Sequence, residues 1–109
     1  MPRSIIETKS YRQDRKRLMK QGVDLTPLYD IIEILSTRSL TPEEVDLYKD
    51  HKLKGEYTGY NELHLEIKTS DWVLVYRIVG NSLELESTDL ELKRTGSHSH
   101  VFGGDLIYL

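Results

Sequence analysis

The chain has 109 residues, 38% of them hydrophobic and 30% charged, the size and balance of a single small globular domain over residues 1–109 and too apolar for a disordered chain. Fifteen Lys and Arg against eighteen Asp and Glu give a formal net charge of −3, so a globally basic nucleic-acid binder is not indicated and any RNA contact has to be a local patch. The lack of Cys excludes a disulfide scaffold, a thiolate zinc site and a cysteine nucleophile; no stretch approaches the roughly 20 apolar residues of a membrane helix, and the N-terminus lacks an apolar signal core, which reads as a cytoplasmic protein with no membrane partner.

Ile5-Ile6 is a short β-favouring pair. Ser10 followed by Gln13 predicts a capping box that opens a helix running to about Lys20, with Gly22 as its stop. Tyr11, Leu18 and Met19 fall on one face of it. Thr26-Pro27 starts a second helix with an apolar stripe of Leu28, Ile31, Ile32 and Leu35, ending near Thr37. Thr41-Pro42-Glu43-Glu44 starts a third, shorter one, with carboxylates suited to a helix N-terminus. After Tyr48 the apolar period changes to two. Leu63, Leu65 and Ile67 alternate with His64 and Glu66 as a half-buried strand, and Trp72 to Ile78 reads as a central strand. Gly80-Asn81 predicts a hairpin turn. Leu83-Glu84-Leu85-Glu86 recurs seven residues later as Leu90-Glu91-Leu92-Lys93, an odd offset that requires a bulge or second turn at Ser87–Asp89. Helices followed by strands predict an α+β fold, a small antiparallel sheet packed against two N-terminal helices.

Charge is unevenly placed. Residues 1–55 hold 11 Lys and Arg against 9 Asp and Glu, whereas residues 56–109 hold 4 against 9. Lys9 to Lys20 is a basic block interrupted by Asp14 alone, readable as a solvated helix face or as a phosphate-contact surface. The residues able to do chemistry lie between Tyr48 and Phe102, which hold all four His, the single Trp and the single Phe. Two His and an Arg are what metal-free cleavage of RNA needs: one group takes the ribose 2′-OH proton, one protonates the leaving oxygen, one neutralises charge on phosphorus. Bland readings stand beside each piece. His64 faces away from the core side of its strand as a polar surface residue would. Trp72 opens an apolar run as core residues do. His98 and His100, a His-x-His without Cys, are a weak metal signal.

The order and spacing of Tyr48-Lys49-Asp50-His51, Gly59-Tyr60, His64, Asp71-Trp72, Tyr76, Arg94-Thr95-Gly96-Ser97-His98 and Phe102 resemble the YafQ branch of the RelE toxin superfamily over nearly the whole chain. The resemblance implies a ribosome-dependent endoribonuclease toxin of a type II toxin–antitoxin pair, cleaving mRNA in the ribosomal A site without metal or cofactor. It implies a RelB/DinJ-like antitoxin, the ribosome and mRNA as partners. His51, His64, Asp71 and His98 match the acid–base cluster, with His98 as general acid and His51 or Asp71 accepting the 2′-OH proton. Arg94 would stabilise the transition state, Trp72 and Phe102 would place or stack codon bases, and Lys49, Lys52 and the basic block, including Arg12 and Lys16, would hold RNA phosphates. This chain departs from the family in its acidic balance, in the longer stretch from Tyr76 to Arg94, and in the tail Asp105–Leu109, read as an extra edge strand or a disordered extension. With Arg94 and His98 kept in the register the resemblance implies, Leu90–Arg94 should pair with Trp72–Ile78 and Gly80–Asp89 should form an extended tip or loop. The acidic balance suits a second reading, a family member that has lost its chemistry and serves as an antitoxin- or RNA-binding module.

Overall fold

The computed structural model describes residues 2–65, 71–81 and 86–103. Four helices and five strands follow in chain order: β1 (Ser4–Glu7), α1 (Lys9–Lys20), α2 (Thr26–Thr37), α3 (Pro42–Tyr48), β2 (His51–Lys52), β3 (Asn61–His64), β4 (Trp72–Asn81), β5 (Glu86–Ser97) and α4 (His98–Phe102). A single 3₁₀ turn, Gly55–Tyr57, precedes β3. The sheet order is β1-β5-β4-β3-β2, which puts the Trp72–Ile78 run on the central strand. The α+β class holds. The sheet is mixed rather than antiparallel throughout, because β1 lies parallel to β5 while the other three pairs are antiparallel. That pairing joins the two ends of the chain. No helix among the described residues is long and apolar enough to cross a membrane.

Three local expectations need correction. The cap of α1 is Thr8, not Ser10: its hydroxyl accepts the Tyr11 N–H at 3.1 Å and donates to the Lys93 carbonyl at 2.9 Å, so one residue closes β1 onto β5 and opens the helix. Thr41 and Glu44 form the reciprocal capping box, on α3. Gly80 and Asn81 are not a turn but the end of β4, opposite Ser87 and Glu86, and Asp89 pairs with both Val79 and Ser4. The tip is therefore shorter than Gly80–Asp89. The expected bulge is present: Val79 faces Asp89 and Gly80 faces Ser87, which leaves Thr88 as the extra residue. A second bulge at Lys93 lies between the Val75–Arg94 and Tyr76–Leu92 pairs, and Leu90–Arg94 pairs with Val75–Ile78 as the register argument requires. Ile67, the Leu83–Leu85 part of the repeat and the Asp105–Leu109 tail lie outside the described residues.

Two apolar layers use the two faces of the sheet. On one face Leu63, Leu65, Trp72, Leu74, Tyr76, Leu90 and Leu92 pack against Tyr11 of α1 and Leu28, Ile31, Ile32 and Leu35 of α2. On the other face, among the described residues, Val73 and Val75 form a buried cluster with Val101 of α4, with Leu53, Tyr57, Tyr60 and Phe102 around it. The second face is thus partly open, and polar strand residues reach it. Arg3 donates to the Leu35 and Arg38 carbonyls at 2.6 and 3.2 Å, tying β1 to the C-terminus of α2.

Candidate active site

Strand alternation and register set the open face. His51 lies opposite Glu62, Glu62 opposite Val75, and Val75 opposite Arg94, so these four residues form one row across the sheet. The next row is His64, Val73 and Gly96. Gly96 has φ +143°, and a Cβ there would meet the His100 ring at 3.1 Å. Only glycine lets α4 fold back this closely. Ser97 then caps α4, its hydroxyl accepting the His100 N–H at 3.1 Å, which makes His98 the first residue of the helix.

His98 is held from two sides. The Asp71 carboxylate accepts its backbone N–H at 3.0 Å and lies 3.2 Å from Nδ1. Nε2 lies 3.3 Å from Oε1 of Glu62. Only a ring with a proton on each nitrogen can donate to both carboxylates. The same Glu62 oxygen is 3.4 Å from Nε2 of His64 and 3.6 Å from Nε2 of His51. Glu62 is buried at 3% exposure, so three imidazoles converge on one desolvated carboxylate. The ring of His98 packs against those of His64 and Phe102, with centroids 5.1 and 5.8 Å away.

His51 is placed by a strained turn. Lys49 ends α3 in the left-handed region (φ 53°, ψ 42°), the sole non-glycine with positive φ among the described residues. Its carbonyl lies 2.8 Å from Nδ1 of His51. An N–H at Nδ1 is required there, which leaves the Nε2 lone pair of the neutral ring facing the site. His64 is more enclosed. Burial lowers its pKa, partly opposed by the charge of Glu62, and its Nδ1 is buried without a hydrogen-bond partner among the described residues.

A cleft of about 460 Å³ opens beside this cluster, lined by His51, Glu62, His98 and Phe102 and by Leu53, Lys54, Glu56 and Tyr57 from the loop between β2 and β3. Tyr57 stands edge-on to Phe102 at 5.5 Å and 87°. Arg94 is on the same face, one strand beyond Val75, but does not line the cleft. Its guanidinium is gripped by Asp14 of α1 at 2.7 and 3.2 Å. That bond raises the pKa of Arg94.

The sequence-derived set therefore divides. His51, His64, Asp71, His98 and Phe102 come together, and Arg94 stands beside them. Trp72 does not join them. It is 9% exposed, belongs to the helix-covered core, and its indole N–H donates to Thr95 Oγ1 at 2.9 Å, so its ring offers no face to an RNA base. Lys52 alternates onto the face away from His51, opposite Asn61, and Lys54 lines the cleft in its place. Lys49 is exposed beside His51. Arg12 and Lys16 are exposed on α1, outside the cleft. The His98 and His100 pair is split, since Nε2 of His100 lies 2.9 Å from Asp14. Among the described residues, the donor set that could hold a metal ion is instead Glu62, His64 and His98, whose ligand atoms lie within 4.8 Å of one another. Sequence reasoning missed Glu62, although its place two residues before His64 put both on one strand face.

Comparison with known proteins fits this geometry. Residues 3–103 match the family model described as "Bacterial toxin of type II toxin-antitoxin system, YafQ". The chain is 33% identical over 101 residues to the mRNA interferase toxin YafQ of Escherichia coli K12, covering 93% of this chain and 97% of that one. Among solved structures, YafQ in the E. coli DinJ–YafQ toxin–antitoxin complex superposes with a TM-score of 0.70 at 31% identity, covering 94% of this chain and 100% of that one. A metal-bound toxin from Helicobacter pylori superposes with a TM-score of 0.72 at 38% identity, with the same coverage. The chain, matched over nearly its full length, belongs to the YafQ family of toxins of bacterial type II toxin–antitoxin systems.

Proposed function

We propose that this chain is a ribosome-dependent endoribonuclease that cuts mRNA in the ribosomal A site by attack of the RNA's own 2′-OH. The observation that carries the reading is the convergence of His51, His64 and His98 on the buried Glu62 at the edge of an open cleft. In this reading Nε2 of His51 takes the 2′-OH proton, the freed oxygen bonds to phosphorus, and the bond from phosphorus to the 5′ oxygen breaks. His98 gives that oxygen its proton. His51 is preferred to Asp71 as the base because an N–H at Nδ1, bonded to the Lys49 carbonyl, puts the basic lone pair on Nε2, 3.6 Å from the Glu62 carboxylate whose charge favours the ring once it has taken the proton, whereas Asp71 is engaged by His98. Arg94 neutralises charge on phosphorus. Phe102 stacks a base, and Lys49 and Lys54 contact phosphates. Glu62 and Asp71 hold the imidazoles. The chemistry calls for no metal, since the nucleophile belongs to the substrate.

The acidic balance of residues 56–109 does not argue against this chemistry. Glu62 and Asp71 belong to the site, and Glu91 is paired with Arg77 at 2.9 Å and with the Tyr60 hydroxyl. As a member of a toxin family, the chain has an antitoxin as its partner in this reading and works in the cytoplasm. The test is induction without antitoxin. Growth and translation should stop, and His98→Ala, which removes the proton donor, should relieve the arrest while the protein stays folded. Equal toxicity of the two folded proteins would remove His98 from the mechanism.

A further inference from the structure

Asp14 is the single acid in the Lys9–Lys20 block, and the proposed chemistry gives it no role. It is nevertheless 4% exposed and fully bonded. Oδ2 accepts from Arg94 Nε at 2.7 Å and from the Thr95 backbone N–H at 3.0 Å. Oδ1 lies 3.2 Å from Arg94 Nη2 and 2.9 Å from His100 Nε2. Four donors occupy the four lone-pair sites of one carboxylate. They come from β5 and α4, and the acceptor comes from α1. Arg17, one turn along α1, lies 2.7 Å from the other ring nitrogen of His100.

The Thr95 bond has a plain structural reason. β1 pairs with β5 only as far as Leu92, so beyond it Asp14 supplies the acceptor that an adjacent strand would have given. The bond to Arg94 does more. A bidentate carboxylate fixes the plane of a guanidinium as well as its place. With Nε and Nη2 turned to Asp14, the Nη1 end is the part left for other partners, and Arg94 shares its row across the sheet with Glu62 and His51, which line the cleft. A side chain that must meet a phosphorane gains most from such prior orientation.

We propose that Asp14 is a positioning residue of the nuclease, fixing from α1 the orientation in which the Arg94 guanidinium meets the scissile phosphate. This rests on the phosphate role given to Arg94 above. The test compares wild type, Asp14→Asn, Arg94→Ala and the double variant, each with its melting temperature, in single-turnover cleavage of mRNA on programmed ribosomes. Asp14→Asn should lower the maximal rate by at least tenfold and leave the half-saturating ribosome concentration within about twofold. The double variant should be no slower than Arg94→Ala, because Asp14 acts through Arg94. Asp14→Asn at the wild-type rate beside a slow Arg94→Ala would overturn the proposal and leave the nuclease reading standing. Losses that multiply in the double variant would also overturn it. Arg94→Ala at the wild-type rate would overturn the role of Arg94 and this proposal together. If Asp14→Asn does not fold, Arg94→Lys decides: it keeps the charge but cannot present the fork, so a tenfold loss is expected, and a wild-type rate would overturn the proposal.

Discussion

Replacing Glu62 by Gln keeps the shape of the side chain and removes its charge. Glu62 is 3% exposed, and its ion-pair partners among the described residues are three histidines at 3.3 to 3.6 Å. Burying a carboxylate costs several kcal/mol. Among the described residues one ring, that of His98, is within hydrogen-bond reach of it, at 3.3 Å, and a single bond to a charged acceptor, about 1.5–3 kcal/mol, offsets only part of that cost. Gln can accept similar bonds without the burial penalty of a charge, so the variant should be more stable, by about 1 kcal/mol, and melt roughly 4–8 °C higher for a domain of this size. Activity should move the other way. Losing the carboxylate charge weakens the bond that holds the His98 ring, by about 1–2 kcal/mol, which is roughly a five- to thirtyfold loss of rate. Thermal melts at pH 8 and single-turnover cleavage on programmed ribosomes measure both. Stability up and activity down is the mark of a site that strains its own fold. A variant that is less stable yet cuts at the wild-type rate would make Glu62 a structural strut and refute the reasoning.

Burial lowers the pKa of His64 below its ordinary 6.5, so the unfolded chain takes up a proton that the folded chain resists. Stability should therefore fall as pH drops through about 6.5, and urea unfolding at pH 7.5 and 5.5 should show a smaller fall for His64→Gln than for wild type. Trp72→Phe removes the indole hydrogen bond to Thr95 and some core volume; it should cost about 1–3 kcal/mol in calorimetry and leave cleavage at 25 °C unchanged, whereas a large rate loss in the folded variant would return Trp72 to the RNA site. Arg12 and Lys16 are exposed on α1, and an antitoxin segment lying over this helix should meet them. Reversing both charges should weaken the complex and flatten its salt dependence, as titration calorimetry at two salt concentrations would show, and unchanged affinity would place the interface elsewhere.

The parts of the fold written in local signals were legible. Thr26-Pro27 and Thr41-Pro42 mark the starts of α2 and α3, and the Trp72–Ile78 run is the central strand. Alternation about Leu63 and Leu65 put His64 on the face away from the core, where it lies. The same alternation carries Glu62, which was not among the candidate site residues. Pattern and resemblance disagreed on Trp72, and pattern was right about its place: an indole that opens an apolar strand packs in the core. The parallel pairing of β1 with β5 was not legible, because it joins segments some 85 residues apart and leaves no periodic trace. Nor were Lys54 and Tyr57, which reach the cleft from a loop. The Gly80-Asn81 turn signal failed because a bulge at Thr88 lets both strands run past it.

The chemistry of the cut ends tests the central claim most directly. With purified protein, intact programmed ribosomes and EDTA low enough to keep them intact, mRNA should still be cut. The upstream fragment should end in a 2′,3′-cyclic phosphate or its 3′-phosphate product, and the downstream fragment should begin with a 5′-hydroxyl. His98→Ala should yield neither. A 3′-hydroxyl facing a 5′-phosphate would mean that an external nucleophile attacked phosphorus, and would contradict the roles assigned to His51 and His98.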